Sequence, residues 1–190
     1  MDIKEDLLPI NQFSRPWTKT VSVKAIVMHW VGKARETAAA VRSYFNYLGK
    51  QDPRDLAPDI YASAHYSIDE YNILRMIPED EVAYHVGAWV YTKEAVDYFG
   101  KDATSNLPFA WSTPNFYTIG IELNHLEDGS FTDATYYTAV ELTQDLCRRY
   151  NLKPDDSILR HFDVTGKLCP KWFVEHPADW ECFIADVKGA

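Results

Sequence analysis

The chain has 190 residues, 46% of them hydrophobic and 14% aromatic, a size and apolar content suited to one well-buried core, so a single domain over residues 1–190 is expected. A formal net charge of −9 leaves no broad basic surface for sequence-independent nucleic-acid binding. The three cysteines, Cys147, Cys169 and Cys182, lack framework spacing, which argues against a disulfide-stapled fold, and no apolar run reaches the ~20 residues a membrane-spanning helix needs.

The opening MDIKEDLLPINQFSRPW carries acid where a secretory signal would be basic, so synthesis in the cytoplasm without a conventional signal peptide is expected. Lys24–His29 (KAIVMH) reads as a buried strand that ends at its histidine. From Ala34 to Leu48 the alanines, Val41, Tyr44, Phe45 and Leu48 recur at helical spacing, and Gly49 supplies a stop. Ala62–Ile68 and Asn72–Ile77 flank the polar Asp69–Glu70 pair and predict two antiparallel strands of a hairpin. Residues 86–115 are rich in Gly, Pro, Trp, Ser and Asn and read as a long cleft-shaping excursion around one short helix near Thr92–Phe99.

Tyr117–Asn124 (YTIGIELN) has central-strand content, with Gly120 marking a close backbone approach. After the Asp128–Gly129 turn, Thr132 caps a helix whose apolar stripe is Ala139, Leu142, Leu146 and Tyr150. Ser157–Arg160 is a last short strand delivering His161 to a loop, and Ala178–Val187 forms a terminal helix. Strands interleaved with helices, plus one hairpin, predict an α/β fold with a central mixed sheet flanked by helices.

A catalytic zinc commonly takes three ligands drawn from His, Cys and carboxylate. His29, His161 and Cys169 meet that requirement, because two histidines that each end a strand reach one edge of a parallel sheet and the loop RHFDVTGKLCP can bring Cys169 back to them. Gly166 and Pro170 restrict that loop, and Lys167 places a cation two residues before the cysteine. Glu122 stands in a strand with apolar neighbours on both sides, where a carboxylate is costly, which makes it the candidate base. His85 lies where the chain leaves the sheet for the long loop, and Trp30 follows His29; both are candidate substrate contacts. His65 alternates with core residues and reads as structural, His125 follows the strand into a turn, His176 reads as surface, and Cys147 and Cys182 read as core thiols.

The segments IVMHW, SAHYSID, EVAYHVGAW, TIGIELN, FTDATYYTAVELTQDL and RHFDVTGKLCP, in this order, resemble the zinc-dependent type 2 N-acetylmuramoyl-L-alanine amidase family, which includes amidase-type phage lysozymes and peptidoglycan recognition proteins. The resemblance implies zinc (Zn2+) on His29, His161 and Cys169, with Glu122 and Lys167 as the catalytic pair. Some phage members place a catalytic tyrosine just before the second-strand histidine; here Ala64 stands there, which implies the glutamate-using branch. The implied reaction is hydrolysis of the amide between N-acetylmuramic acid and the L-alanine of the stem peptide. The implied partner is peptidoglycan or a muropeptide, acted on at the cell wall by an endolysin or in the cytoplasm by a recycling enzyme. The alternative is a module that recognises muropeptides without cutting them.

Overall fold

The computed structural model describes residues 1–55, 58–106 and 112–189. Six strands form one mixed sheet in the order β1-β4-β3-β5-β2-β6. They are β1 (Ile3–Glu5), β2 (Ala25–Trp30), β3 (Tyr66–Ile68), β4 (Ile73–Arg75), β5 (Thr118–Leu123) and β6 (Ile158–Arg160). The predicted hairpin is present, with β3 antiparallel to β4, and the other neighbours pair in parallel. Around the sheet lie α1 (Ala38–Leu48), α2 (Lys93–Phe99), α3 (Asp133–Tyr150), α4 (Pro154–Ser157), α5 (His161–Thr165), α6 (Lys171–Glu175) and α7 (Pro177–Lys188).

Strand alternation sorts the central strand β2 between two cores. Ile26 and Met28 join Ile119 and Ile121 of β5 against α3, α6 and α7, where Leu142, Leu146, Phe173 and Phe183 pack. Ala25 and Val27 face the other way, onto Val86, Ala95 and Phe99 of the long excursion and Val164 of α5. The small residues on this second face let the excursion lie close to the sheet. His29 continues that face, so it emerges where α5 and the excursion meet the strand ends.

Several boundaries moved for local reasons. The first helix begins at Ala38, later than predicted, because Arg35 sits in the left-handed region (φ 56°) and Thr37 caps the helix by accepting from the Ala40 amide. The hairpin strands are shorter than predicted because the flanking amides are committed elsewhere: Ala62 donates to the Phe13 carbonyl and Ser63 to that of Tyr84. Thr92 and Thr132 cap α2 and α3 as predicted. β1 was not predicted, since three residues are too few to show a period of two. The predicted loop after β6 instead opens with the helical turn α5, whose first residue is His161 and which Gly166 ends at φ 77°. Residues 107–111 of the long excursion lie outside the described residues.

Candidate metal centre and active site

β2 lies between β5 and β6 in parallel register, with Met28 opposite Arg160 and His29 opposite Glu122. The next residue after Arg160 is His161, so the two histidines leave neighbouring strands at one level of the sheet. Arg160 holds the departure angle: its amide and guanidinium both bond the Asp163 carboxylate inside the first turn of α5. The Phe162 amide donates to the Cys169 carbonyl at 2.9 Å, which folds the loop back onto the helix start.

The result is a buried triad. His29 Nδ1 lies 3.0 Å from His161 Nδ1 and 3.9 Å from Cys169 Sγ, and one donor atom from each residue falls within 4.8 Å of the others. Ligand atoms sharing a tetrahedral zinc, with bonds of about 2.0–2.3 Å, are separated by roughly 3.3–3.7 Å. The donor set and spacing therefore fit a metal ion.

Electrostatics favour the metal-ready forms of the histidines. Burial, reinforced by His161, His85 and Lys167, holds His29 well below its ordinary value. Burial and Lys167 bring His161 to about 4. Both imidazoles are therefore neutral at pH 7. Cys169 is the exception, because burial and the nearby Glu122 push its thiol up to about 12, so it must lose a proton to ligate.

Glu122 extends the face that carries Thr118 and Gly120 and stands beside His29. Its Oε2 is buried without a hydrogen-bond partner among the described residues. Burial raises the carboxyl to about 8, against the opposing pull of Lys167. An orphaned buried oxygen next to three convergent donors is the mark of a missing polar partner, such as a metal or its water. Lys167 is exposed on the rim, between Gly166 and Cys169.

The remaining histidines divide by role. His85 is buried, and its Nδ1 lies 3.0 Å from His29 Nε2 while its Nε2 lies 3.1 Å from Thr118 Oγ1, so it supports His29 from behind. His65 is structural as expected: Nδ1 accepts from the Gly120 amide and Nε2 donates to the Glu81 carbonyl. His125 bridges the Leu126 and Val31 carbonyls, and His176 is exposed. By alternation the Trp30 ring points to the opposite face from His29 and stacks on His125, 4.3 Å between centroids. Only its main chain meets the site, through a backbone hydrogen bond to the Cys169 sulfur. Cys147 is buried in the α3 core, but Cys182 corrects the expectation of a core thiol: it is exposed, because the inward positions of α7 are taken by Phe183 and Val187. Thr118 was missed, since a threonine at a strand start carries no signal for its role.

A mixed α/β domain with a His–His–Cys cluster that could hold a metal ion, and a carboxylate with a buried oxygen beside it, has the make-up of a hydrolase. The chain belongs to the N-acetylmuramoyl-L-alanine amidase family, whose sequence profile matches residues 19–172. A probable N-acetylmuramoyl-L-alanine amidase of Bacillus licheniformis is 35% identical over 178 residues, covering 94% of this chain and 45% of that protein. The N-acetylmuramoyl-L-alanine amidase CwlL of the same organism is 33% identical over 181 residues, covering 95% and 45%. The chain thus spans about half the length of these curated relatives. The catalytic domain of XlyA shares the fold, with a TM-score of 0.70 over 98% of this chain and 99% of that one at 22% identity. No described helix is long and apolar enough to cross a membrane.

Proposed function

We propose that residues 1–190 are the catalytic domain of a zinc-dependent peptidoglycan amidase that hydrolyses the amide between the lactyl group of N-acetylmuramic acid and the L-alanine of the stem peptide. The observation that carries the reading is the unpartnered buried Glu122 Oε2 beside the convergent His29, His161 and Cys169 donors.

His29, His161 and Cys169 hold the metal. Bound zinc supplies Lewis acidity, polarising the scissile carbonyl and lowering the pKa of water toward about 7. Glu122 takes the proton of the attacking water and passes it to the departing L-alanine amine, a role that suits a carboxyl raised by burial toward neutrality. Lys167 reaches in from the rim to stabilise the oxyanion, a contribution of about 3 kcal/mol for one well-placed donor. The thiolate of Cys169 moderates the acidity of the site, so Cys169→Asp keeps partial activity. The substrate is wall peptidoglycan or a released muropeptide, and the working place is the cell wall.

The test incubates the purified chain with muropeptides, with and without a chelator, and identifies products by mass. Free stem peptide formed only with metal supports the amidase. Intact muropeptide, bound with measurable affinity and never cut, would replace it with a recognition module.

A further inference from the structure

We propose that Thr118 and His85 are positioning residues that select the Nε2–H tautomer of His29, so that a bare Nδ1 faces the metal. The inference rests on the metal-centre reading of His29, His161 and Cys169 given above.

Four groups form a continuous chain. Thr118 Oγ1 lies 2.9 Å from the Pro114 carbonyl and 3.1 Å from His85 Nε2. His85 Nδ1 lies 3.0 Å from His29 Nε2, and His29 Nδ1 opens onto His161 and Cys169. A ligating imidazole is neutral, so Thr118, His85 and His29 each bring one proton to the chain, and those protons take one of two arrangements, all toward Pro114 or all away from it. In one, every proton points toward Pro114: Thr118 donates to the carbonyl, His85 Nε2–H donates to Thr118, and His29 Nε2–H donates to His85. His29 Nδ1 is then a lone pair aimed at the other two ligands. In the reverse arrangement Thr118 donates to His85, His85 donates to His29, and His29 carries its proton on Nδ1, where the metal must bind.

The Pro114 carbonyl breaks the tie. It can only accept, and it stands within reach of the single Thr118 proton. The same turn also fixes His85, because the amides of His85 and Val86 both donate to Asn115 Oδ1 at 3.1 and 2.8 Å. The His85 ring lies against bare backbone: a Cβ on Gly120 would come within 2.7 Å of its Cγ and Nδ1. A ring placed by two backbone bonds, a glycine floor and a hydroxyl is held for its orientation. Outer partners of this kind fix which nitrogen of a metal-binding histidine is protonated, and losing one typically costs about 10–100-fold in metal affinity.

The experiment compares the native chain with Thr118→Val, which keeps shape and loses the hydroxyl, and Thr118→Ser, which keeps the hydroxyl. Two quantities are read on each: the zinc dissociation constant by chelator competition, and the His29 tautomer in the metal-free, histidine-labelled protein from long-range ¹H–¹⁵N spectra. Native and Thr118→Ser proteins are expected to show Nε2–H on His29 and to bind zinc with similar affinity. Thr118→Val is expected to shift the proton toward Nδ1 and to weaken zinc about 10–100-fold. Unchanged tautomer and affinity in Thr118→Val would overturn the proposal, as would equal losses in Val and Ser variants with a matching fall in thermal midpoint. No zinc uptake by the native chain would instead remove the metal centre itself, and the proposal with it.

Discussion

His29 and Glu122 face each other across adjacent parallel strands, paired in register at the ends of β2 and β5. This pairing sets the backbones of a histidine and a half-buried glutamate about one strand spacing apart, roughly 4.8 Å along the sheet, with both side chains on the same side of it. The proposed ligand and the proposed base are therefore placed by neighbouring strands of one sheet, and neither depends on a loop.

The proposed function puts ligation and proton transfer on different side chains, so mutation should separate them. Glu122→Gln is expected to bind zinc with native stoichiometry while losing about 10²–10⁴-fold in muropeptide cleavage. Lys167→Ala is expected to lose about 10²-fold, with zinc binding again retained. Metal content and turnover measured on the same samples check both. Loss of zinc in Glu122→Gln would make that residue part of the coordination instead.

Zinc affinity should follow the protonation of Cys169. His161, brought by burial to about 4, is neutral through this range and burial holds His29 well below its ordinary value, whereas the thiol, pushed up to about 12, keeps its proton throughout the neutral range. Binding then releases one proton, and affinity is expected to rise about tenfold per pH unit between pH 6 and 8. Chelator competition at several pH values gives the slope. Cys169→Ala is expected to lose zinc at all of them.

Glu79 predicts the acid limit of the fold. Burial alone would raise its carboxyl, but hydrogen bonds from Arg149 (2.5 and 2.8 Å), Tyr150 (2.6 Å) and Tyr66 prevail and hold it at about 2, below its ordinary 4.5. A carboxyl depressed by folding contributes stability that is complete above its unfolded value and is lost as pH falls through the folded one. Stability is therefore expected to fall between about pH 4.5 and 2, and Glu79→Gln to flatten that fall while costing about 2–3 kcal/mol at pH 7. Urea denaturation across this range measures both.

Gly120→Ala is expected to destabilise the chain by about 1–3 kcal/mol, since the new methyl meets the His85 ring and neither the strand nor the ring can withdraw freely. If that collision is the cause, adding His85→Ala recovers part of the loss, and a double-mutant cycle by thermal or urea denaturation shows a coupling well above zero. Additive losses would place the strain elsewhere.

The zinc-ligand candidates were legible in the sequence because strand ends announce themselves. KAIVMH was read as stopping at its histidine, and the strand runs one residue further, to Trp30, still leaving His29 near its end; ILRH delivers another histidine, and RHFDVTGKLCP contains the glycine and proline that let a loop return. Glu122 was legible because an isolated carboxyl in an apolar strand is costly. Gly120 was legible as a close approach, though not what approached. His85 and Trp30 could be ranked only by nearness in sequence, and the fold separated them. Strand parity turned the Trp30 ring toward His125, and the loop after β4 brought His85 behind His29 from 56 residues away.

The amino-acid order alone determined the mixed α/β architecture, the hairpin, the capped helices and the inventory of His, Cys and Glu groups able to do metal chemistry, because periodicity and local capping are short-range effects. Tertiary structure alone decided the strand order β1-β4-β3-β5-β2-β6, the register that sets His29 opposite Glu122, and the path from Pro114 through Thr118 and His85. Those depend on contacts between distant segments, whose free energy appears only once the chain has closed around them.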